Sequence, residues 1–148
     1  MTCWMGVACA RHARAGRDGG FAQLGHGKHA AVKSLGKGDW IVYYSPREGL
    51  GEGEAVRAFT TIGRVVSDAP YQVEQAAGFS PYRVDVDYLA DAVPAPIHPL
   101  LDRLDLTQGR GANWGIVMRG SKRKLSEHDM RMIAKAMGAE GDYDRTLE

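Results

Sequence analysis

Bulky side chains occupy every position from Trp40 to Tyr44, and this run is the strongest strand signal in the chain. Side chains alternate between the two faces of a strand, so this run would present large apolar groups on both faces. A strand of this kind is typical of the interior of a sheet that is covered on each side. We therefore predict a central strand over 39–45, closed by Pro46 because proline cannot donate to a strand ladder.

The β pattern recurs in four other runs. Ala55 to Val66 follows a glycine- and glutamate-rich turn and would pair with the central strand as an antiparallel hairpin. Tyr82 to Tyr88 alternates apolar and charged residues, which predicts a strand with one face in water. Cys3 to Cys9 is a short apolar run that predicts a first, buried strand, and Trp114 to Arg119 predicts the last strand.

Helical patterns are fewer. The segment from Gly27 to Lys37 predicts a short helix, whereas Ala10 to Gly20 is so polar and glycine-rich that it predicts a loop. The best-marked helix is the last one, in which Ser126 is an N-cap candidate and a buried stripe ends at Gly138.

Length and composition place the chain among ordinary globular proteins. It has 148 residues, of which 44% are hydrophobic and 25% are charged, and its formal net charge is +1. This length suits one domain, which we expect over 1–138, followed by a flexible acidic tail over 139–148. The near-neutral total gives no global attraction to nucleic acid. The stretch from Arg11 to Lys37 nevertheless holds Asp18 as its one acid and predicts a local basic face.

The two cysteines give an indication of the cellular compartment of the protein. Cys3 and Cys9 lie on the predicted first strand, where their spacing would separate them by about 20 Å, beyond the reach of a disulfide. They predict reduced thiols and a cytoplasmic protein. We also expect neither a signal peptide nor a membrane span, because no charged segment precedes an early apolar run and no apolar run is long enough.

Several motifs together resemble a known family. They are Gly-Gly-Phe-Ala-Gln at 19–23, His-Gly-Lys at 26–28, Gly-Asp-Trp-Ile-Val-Tyr-Tyr-Ser-Pro at 38–46, Ala-Phe-Thr at 58–60 and Trp-Gly at 114–115. In this order, over nearly the whole chain, they resemble the EVE domain, and most of all the stand-alone bacterial EVE proteins. The resemblance implies an α+β, PUA-like fold, in which a small mixed, mostly antiparallel β-barrel is flanked by short helices.

The same resemblance implies a function. Related domains in the superfamily, including YTH and PUA domains, bind RNA or modified bases. EVE proteins are proposed to hold a flipped modified base, such as methylated cytosine, in a pocket. In the family the first strand usually ends in Ala-Ser, where this chain has Ala8 and Cys9. A thiol is a weaker hydrogen-bond partner than a hydroxyl, so a polar contact from Cys9 to a base would be weak.

The residues themselves support base binding. A flipped base needs an aromatic surface and polar groups that read its edge, and phosphates need cations or N–H groups. The first glycine-rich loop, the central strand and the start of the last strand could together form such a pocket. The candidate ligand-binding residues are Cys9, Phe21, Gln23, His26, Lys28, Tyr43, Ser45 and Trp114. The candidates for contacting a nucleic-acid backbone are Arg11, His12, Arg14, Arg17 and Arg110.

Other interpretations stay open at this point. Phe21 could plug the barrel instead of contacting a base. The sequence lacks the spacing of a metal site, a nucleophile elbow, a P-loop and a catalytic dyad, so we expect no metal, no cofactor and no catalytic residue. The prediction is a non-enzymatic module that binds DNA or RNA. The alternatives are an enzyme that acts on a nucleotide or small molecule through His26, Lys28 or Cys9, and a protein-interaction domain.

Overall fold

The computed structural model describes residues 1–147 and is built on one mixed sheet of eight strands. The strands are β1 (Cys3–Val7), β2 (Phe21–Ala22), β3 (Trp40–Gly49), β4 (Glu52–Val65), β5 (Tyr71–Gln72), β6 (Tyr82–Tyr88), β7 (Ala95–Pro96) and β8 (Lys122–Leu125). Their order is β2-β6-β4-β3-β1-β8, while β5 pairs with β6 and β7 pairs with β4. Only β1 and β3 run parallel within this described sheet.

Short helices cover the sheet. They are α1 (Ala10–Gly19), α2 (His29–Val32), α3 (Glu127–Ala136) and α4 (Glu140–Arg145), with 3-10 turns at Gly25–Gly27, His98–Leu100 and Gly111–Met118. The sheet curls into a half-barrel, which confirms the predicted α+β, PUA-like architecture. No helix in residues 1–147 has both the length and the apolar character needed to cross a membrane.

The predicted central strand is confirmed, since β3 lies between β4 and β1 and is buried on both faces. On one face, Trp40 packs with Met130 of α3 and Tyr143 of α4 in what we call the first cluster. On the other face, Tyr43 packs with Leu24 and the buried side of α1 in the second cluster. Two separate apolar cores therefore share one strand, as the bulky residues on both of its faces require.

The predicted hairpin between β3 and β4 is also confirmed, but it is longer than expected. Pro46 does not end β3, because the register shifts between Ser45 and Arg47 and leaves this proline exposed, where no ladder bond is needed. Pairing continues to Gly49 and Glu52, so the hairpin projects beyond the sheet.

The predicted loop over residues 10–20 is wrong, because this segment forms α1. Ala10, Ala13 and Gly16 recur every three residues and form its buried side. Gly16 lets the helix approach β2 closely, since an added Cβ would lie 2.7 Å from the carbonyl oxygen of Phe21. Cys9 is the N-cap residue of α1, so it does not extend β1 as predicted.

Three further predictions need correction. The run Trp114 to Arg119 lies largely in the third 3-10 turn, so the last strand is instead the charged β8. The predicted helix over Gly27–Lys37 is shorter than expected, since α2 is a single turn and residues 25–27 form a separate 3-10 turn before it. In the predicted loose tail, residues 140–145 form α4 and Tyr143 is 0% exposed, so this part of the tail is packed.

The predicted terminal helix is confirmed by its cap. The Ser126 hydroxyl accepts a hydrogen bond from the main-chain N–H of Asp129 at 3.1 Å. The Asp129 carboxylate does not return to the cap, as a capping box would require. It instead accepts the main-chain N–H groups of Asp105 and Leu106 at 2.7 and 3.0 Å.

Candidate nucleic-acid interface

A pocket of about 430 Å³ opens beside the end of β1. Its walls come from the start of α1, the segment after β2, the tip of the β3–β4 hairpin and the residues just before β8. The lining residues are Val7, Ala8, Cys9, His12, Gln23, Leu24, Gly25, His26, Leu50, Gly120 and Ser121. Four of the residues predicted from sequence therefore meet here, namely Cys9, His12, Gln23 and His26.

One hydrogen bond fixes the imidazole of His12 in this pocket. Its Nε2 lies 3.0 Å from the carbonyl oxygen of Gln23. Because a carbonyl can only accept, Nε2 carries the proton and donates. The opposite ring nitrogen, Nδ1, is then the ring atom left for a ligand. His12 follows the Cys9 thiol by three residues, so the first turn of α1 brings both polar side chains to one wall.

The glycine-rich segment forms the rim in an unusual backbone conformation. Gly25, His26 and Gly27 have φ values of 56°, 59° and 80°, all in the left-handed region. For a residue with a side chain this costs about 1–2 kcal/mol, so His26 holds local strain. Gly27 is required for a second reason, because an added Cβ would lie 2.2 Å from the Cβ of Pro81. Lys28 follows on the exposed side of this turn, outside the lining of the pocket.

Tyr43 and Ser45 lie behind the pocket and do not line it. Tyr43 is fully buried, and its ring packs edge-on against His12 at a centroid distance of 6.3 Å. Burial raises the pKa of its hydroxyl well above the ordinary value, so the phenol stays protonated. The hydroxyl of Ser45 is 2.9 Å from Thr60 Oγ1, inside the hairpin. These two residues support the wall instead of facing a ligand.

Phe21 also lies outside the pocket. The guanidinium carbon of Arg83 is 3.7 Å from the centre of its ring, and an added Cβ on Gly19 would lie 2.4 Å from Phe21 Cε1. The same arginine donates to Gln23 Oε1 at 2.8 Å, and Gln23 donates to Gln75 Oε1 at 3.1 Å. The ring and amide that were expected to hold a base are therefore occupied by protein groups.

Trp114 and Arg110 lie elsewhere, which corrects the predicted three-part pocket. Trp114 packs edge-on against Tyr44 and His98, at centroid distances of 6.4 and 5.7 Å. Tyr44 belongs to the first cluster, whereas the pocket adjoins the second, on the opposite face of β3. Arg110 donates from Nε to the carbonyl of Leu106 at 3.1 Å. Neither residue lines the pocket beside β1.

The three predicted arginines of α1 are paired with carboxylates. Their side chains remain partly exposed, but much of their charge is neutralised locally, so they form a weaker basic rim than the sequence suggested. The pairs are Arg11 with Glu52 at 3.8 Å, Arg14 with Glu48, and Arg17 with Asp18 at 3.2 Å.

With this geometry established, comparison with known proteins identifies the family. A family model described as the EVE domain matches residues 2–136. The chain belongs to the EVE domain family. This confirms the resemblance that its motifs indicated, and the family is associated in general with nucleic-acid binding.

Relatives described as UPF0310 proteins match most of this EVE domain. A UPF0310 protein of Mesorhizobium japonicum is 50% identical over 138 residues, covering 92% of this chain and 91% of the relative. The UPF0310 protein YdcG of Bacillus subtilis is 38% identical over 135 residues, covering 91% of each chain. The descriptions of the EVE domain and of these relatives name no enzymatic activity.

Two solved structures share the fold. Rpa0253 from Rhodopseudomonas palustris has a TM-score of 0.52 at 15% identity, covering 93% of this chain and 94% of that one. PSPTO5229 from Pseudomonas syringae has a TM-score of 0.51 at 11% identity, covering 90% and 97%. At this identity the likeness concerns the architecture alone.

The EVE domain also has a group of cations outside the predicted site residues. Lys122 and Lys124 of β8 extend over the ring of Trp4, with Nζ at 4.8 and 5.6 Å from its centre. Lys33, next to α2, is close enough to Lys122 to act on its charge. We call Lys33, Lys122 and Lys124 the lysine group. Within residues 1–147, none of the three forms an ion pair with a carboxylate.

The pKa of Lys122 reflects this setting. Burial lowers it first, and the neighbouring charge of Lys33 lowers it further. An anion placed between the two ammonium groups would relieve that repulsion. The run Lys-Arg-Lys at 122–124 is the sequence signal for these cations, but it has no apolar pattern and so does not predict a strand.

Proposed function

We propose that this EVE domain binds nucleic acid and holds one modified base, such as a methylated cytosine, flipped out of the strand into the pocket beside β1. The observation that carries the proposal is the position of the pocket relative to the lysine group. Gly120 and Ser121 form part of the pocket wall, and β8 with its two lysines follows directly. A base in the pocket would thus leave its phosphates beside cations that have no carboxylate partner in the described chain.

The pocket walls suit a nucleobase. Val7 and Leu24 provide apolar surface, and the imidazole rings of His12 and His26 provide flat surfaces on which a base can stack. The Nδ1 atom of His12, the Cys9 thiol and the Ser121 hydroxyl offer polar contacts to a base edge. The volume of about 430 Å³ falls in the range of small-ligand sites and exceeds what one water molecule needs.

The phosphate contacts would come from the lysine group, with Lys28 and the partly paired arginines of α1 in supporting positions. β8 is an edge strand whose one strand partner in the described sheet is β1, so its second edge forms no ladder with another strand there. Lysine acts as a point charge and tolerates varied phosphate positions, which suits backbone binding without sequence preference.

The test measures binding to a panel of single-stranded oligonucleotides by fluorescence anisotropy. The strands differ at one central base, which is cytosine, 5-methylcytosine, 5-hydroxymethylcytosine, adenine or N6-methyladenine. We expect at least one modified strand to bind about tenfold more tightly than its plain counterpart, a difference of about 1.4 kcal/mol. Equal affinity across the panel, or no binding at low salt, would contradict the proposal.

Two matched variants test whether the modified base binds in the pocket. Ser121 lies across from Gly25, where an added Cβ would be 3.5 Å from the Ser121 hydroxyl, so Ser121→Phe fills the space between the two walls. Ser80→Phe adds the same ring at an exposed loop position that does not line the pocket. We expect Ser121→Phe to abolish the preference for the modified strand and Ser80→Phe to preserve it.

A further inference from the structure

The β3–β4 hairpin ends in an exposed leucine at the mouth of the pocket. The last paired residues are Gly49 and Glu52, so Leu50 and Gly51 form the two-residue tip. Gly51 has a φ of 67°, the left-handed conformation that the second central residue of such a turn can require. The Leu50 side chain is 78% exposed, more than any other large apolar side chain in residues 1–147, and it contributes to the pocket lining.

The hairpin contacts α1, the same helix that supplies Cys9 and His12 to the pocket. Arg14 pairs with Glu48 on one strand of the hairpin, and Arg11 pairs with Glu52 on the other. Arg11 also passes close to the backbone, since an added Cβ on Gly49 would lie 3.4 Å from its Nη2 atom. The two pairs connect α1 to both strands of the hairpin.

The pairs also set the charge of the tip. Each neutralises the hairpin glutamate nearest to Leu50 on its strand, so these two carboxylates repel an approaching phosphate less than free ones would. The part of the hairpin that reaches furthest is an apolar side chain beside an uncharged glycine. Single exposed apolar residues are common on protein surfaces. Leu50 differs from such residues because it lies at the tip of the hairpin, because both strands of that hairpin pair with α1, and because it lines the mouth of a pocket.

We propose that Leu50 is a wedge that enters the gap left in a base stack when the neighbouring base turns into the pocket. The inference rests on the proposed function and adds to it the substrate class, namely base-paired nucleic acid. Extruding a base from a duplex breaks its pairing and stacking, and an inserted apolar side chain partly restores contacts in the vacated space. Leu50 is exposed to water in the free protein and would become buried between bases. A single strand offers no closed stack, so the wedge adds little there.

The experiment uses two probes. One is a duplex that contains a single 5-methylcytosine opposite guanine, and the other is the methylated strand of that duplex alone. Leu50→Ser should weaken duplex binding about tenfold through loss of apolar burial, and change single-strand binding less than twofold. Leu50→Met keeps an apolar side chain of similar length and should retain duplex affinity. Val93→Ser is the matched control, since Val93 is 54% exposed and does not line the pocket.

The outcomes separate this inference from the function on which it rests. A wild-type protein that binds the methylated single strand but not the duplex overturns the wedge and leaves the proposed function intact. If Leu50→Ser weakens binding to both probes equally, Leu50 is part of the pocket wall and not a wedge. If Leu50→Ser leaves the affinity for the duplex unchanged, the wedge inference is also overturned. A wild-type protein that binds neither probe overturns the wedge, and it also overturns the proposed function if no other modified strand of the panel binds. Fluorescence of 2-aminopurine placed next to the methylated base gives a second readout, which should rise on binding in wild type and less in Leu50→Ser.

Discussion

The guanidinium carbon of Arg83 lies 3.7 Å from the centre of the Phe21 ring, so an arginine occupies the aromatic face that the sequence offered to a base. The same arginine bonds to the side-chain oxygens of Gln23 and Gln75. Two prominent residues of the glycine-rich motif therefore join β2 to β6 and to the loop before β6. Phe21 lies outside the pocket, and the side chain of Gln23, whose residue lines the pocket, is engaged by Arg83 and Gln75.

Replacement of Phe21 should affect folding more than binding. We expect Phe21→Ala to lower the free energy of unfolding by about 2 kcal/mol, through loss of the contact with Arg83 and of half-buried ring surface. Urea denaturation measures this change, and the binding panel measures discrimination between modified and plain strands. Tyr71→Ala, which removes an exposed ring, is the control. Loss of discrimination at unchanged stability would show that Phe21 stacks on a base after all.

The rim of the pocket depends on Gly27. A side chain there meets both a left-handed backbone and the ring of Pro81, so Gly27→Ala should cost about 3 kcal/mol of stability. Gly109 is the matched control, because its φ of 77° is nearly the same as the 80° of Gly27 but an added Cβ would meet nothing within 4 Å. Gly109→Ala should therefore cost about 1 kcal/mol. Similar losses for the two variants in thermal and urea unfolding would argue against the close packing of Gly27 on Pro81.

The recognisable parts of the fold are those with a local, repeating pattern. β3 was predictable from bulky residues on two faces, β6 from strict alternation over Tyr82–Tyr88, and α3 from the Ser126 cap. α1 was missed because its buried side uses alanine and glycine, which carry little hydrophobic signal. The packed Tyr143 was missed because the pattern of acids around it resembles a solvated tail.

The candidate site was harder to predict, because register and sheet face decide which side chains meet. Cys9, His12 and His26 were all candidate site residues from sequence, with His12 assigned to the nucleic-acid backbone, and the structure brings the three into one pocket. Trp114 was assigned to the same pocket because a strand was predicted there, whereas the 3-10 turn packs its ring against Tyr44 on the opposite face of β3. No pattern within one segment specifies such a choice between faces. Leu50 is not predictable as a site residue, because a lone leucine in a polar turn carries no periodic signal.

The stability of the protein should depend on the protonation of Asp129. Burial raises the pKa of its carboxyl above the ordinary 3.8. The hydrogen bonds from the main chain of Asp105 and Leu106 lower this pKa, but the effect of burial is larger. A raised pKa in the folded state means that the folded protein holds the proton more tightly than the unfolded chain. The contribution to stability is then fully present below pH 3.8 and is lost as the pH rises through the folded-state value.

Asp129→Asn tests this direction, because the amide does not titrate. We expect the unfolding free energy of wild type, measured relative to that of Asp129→Asn, to fall as the pH rises above 3.8. Asp91→Asn, at an exposed position, should show no such trend against wild type. Urea denaturation at a series of pH values gives the comparison, and a relative stability that rises with pH would reverse the sign and contradict the assignment.

The lysine group should set the salt dependence of binding. Each cation that contacts a phosphate on a single strand adds about 0.7 to the slope of log affinity against log salt concentration. The triple change of Lys33, Lys122 and Lys124 to Gln should therefore reduce the magnitude of that slope by about 2. Arg123→Gln is a control from the same strand, since its side chain alternates to the other face of β8. An unchanged slope in the triple variant would place the phosphates elsewhere.

The most direct test of base binding in the pocket uses the two native cysteines. Cys9 lines the pocket and is half-buried, whereas Cys3 is 2% exposed and lies in the first cluster. Iodoacetamide should therefore alkylate Cys9 in the folded protein and spare Cys3, and peptide mass spectrometry measures the rate at each site. We expect a saturating concentration of the strand that binds most tightly in the panel to slow alkylation of Cys9 at least about fivefold, because the base covers the thiol. An unchanged rate at Cys9 under saturation would contradict the account, since nucleic acid would then be bound with this pocket empty.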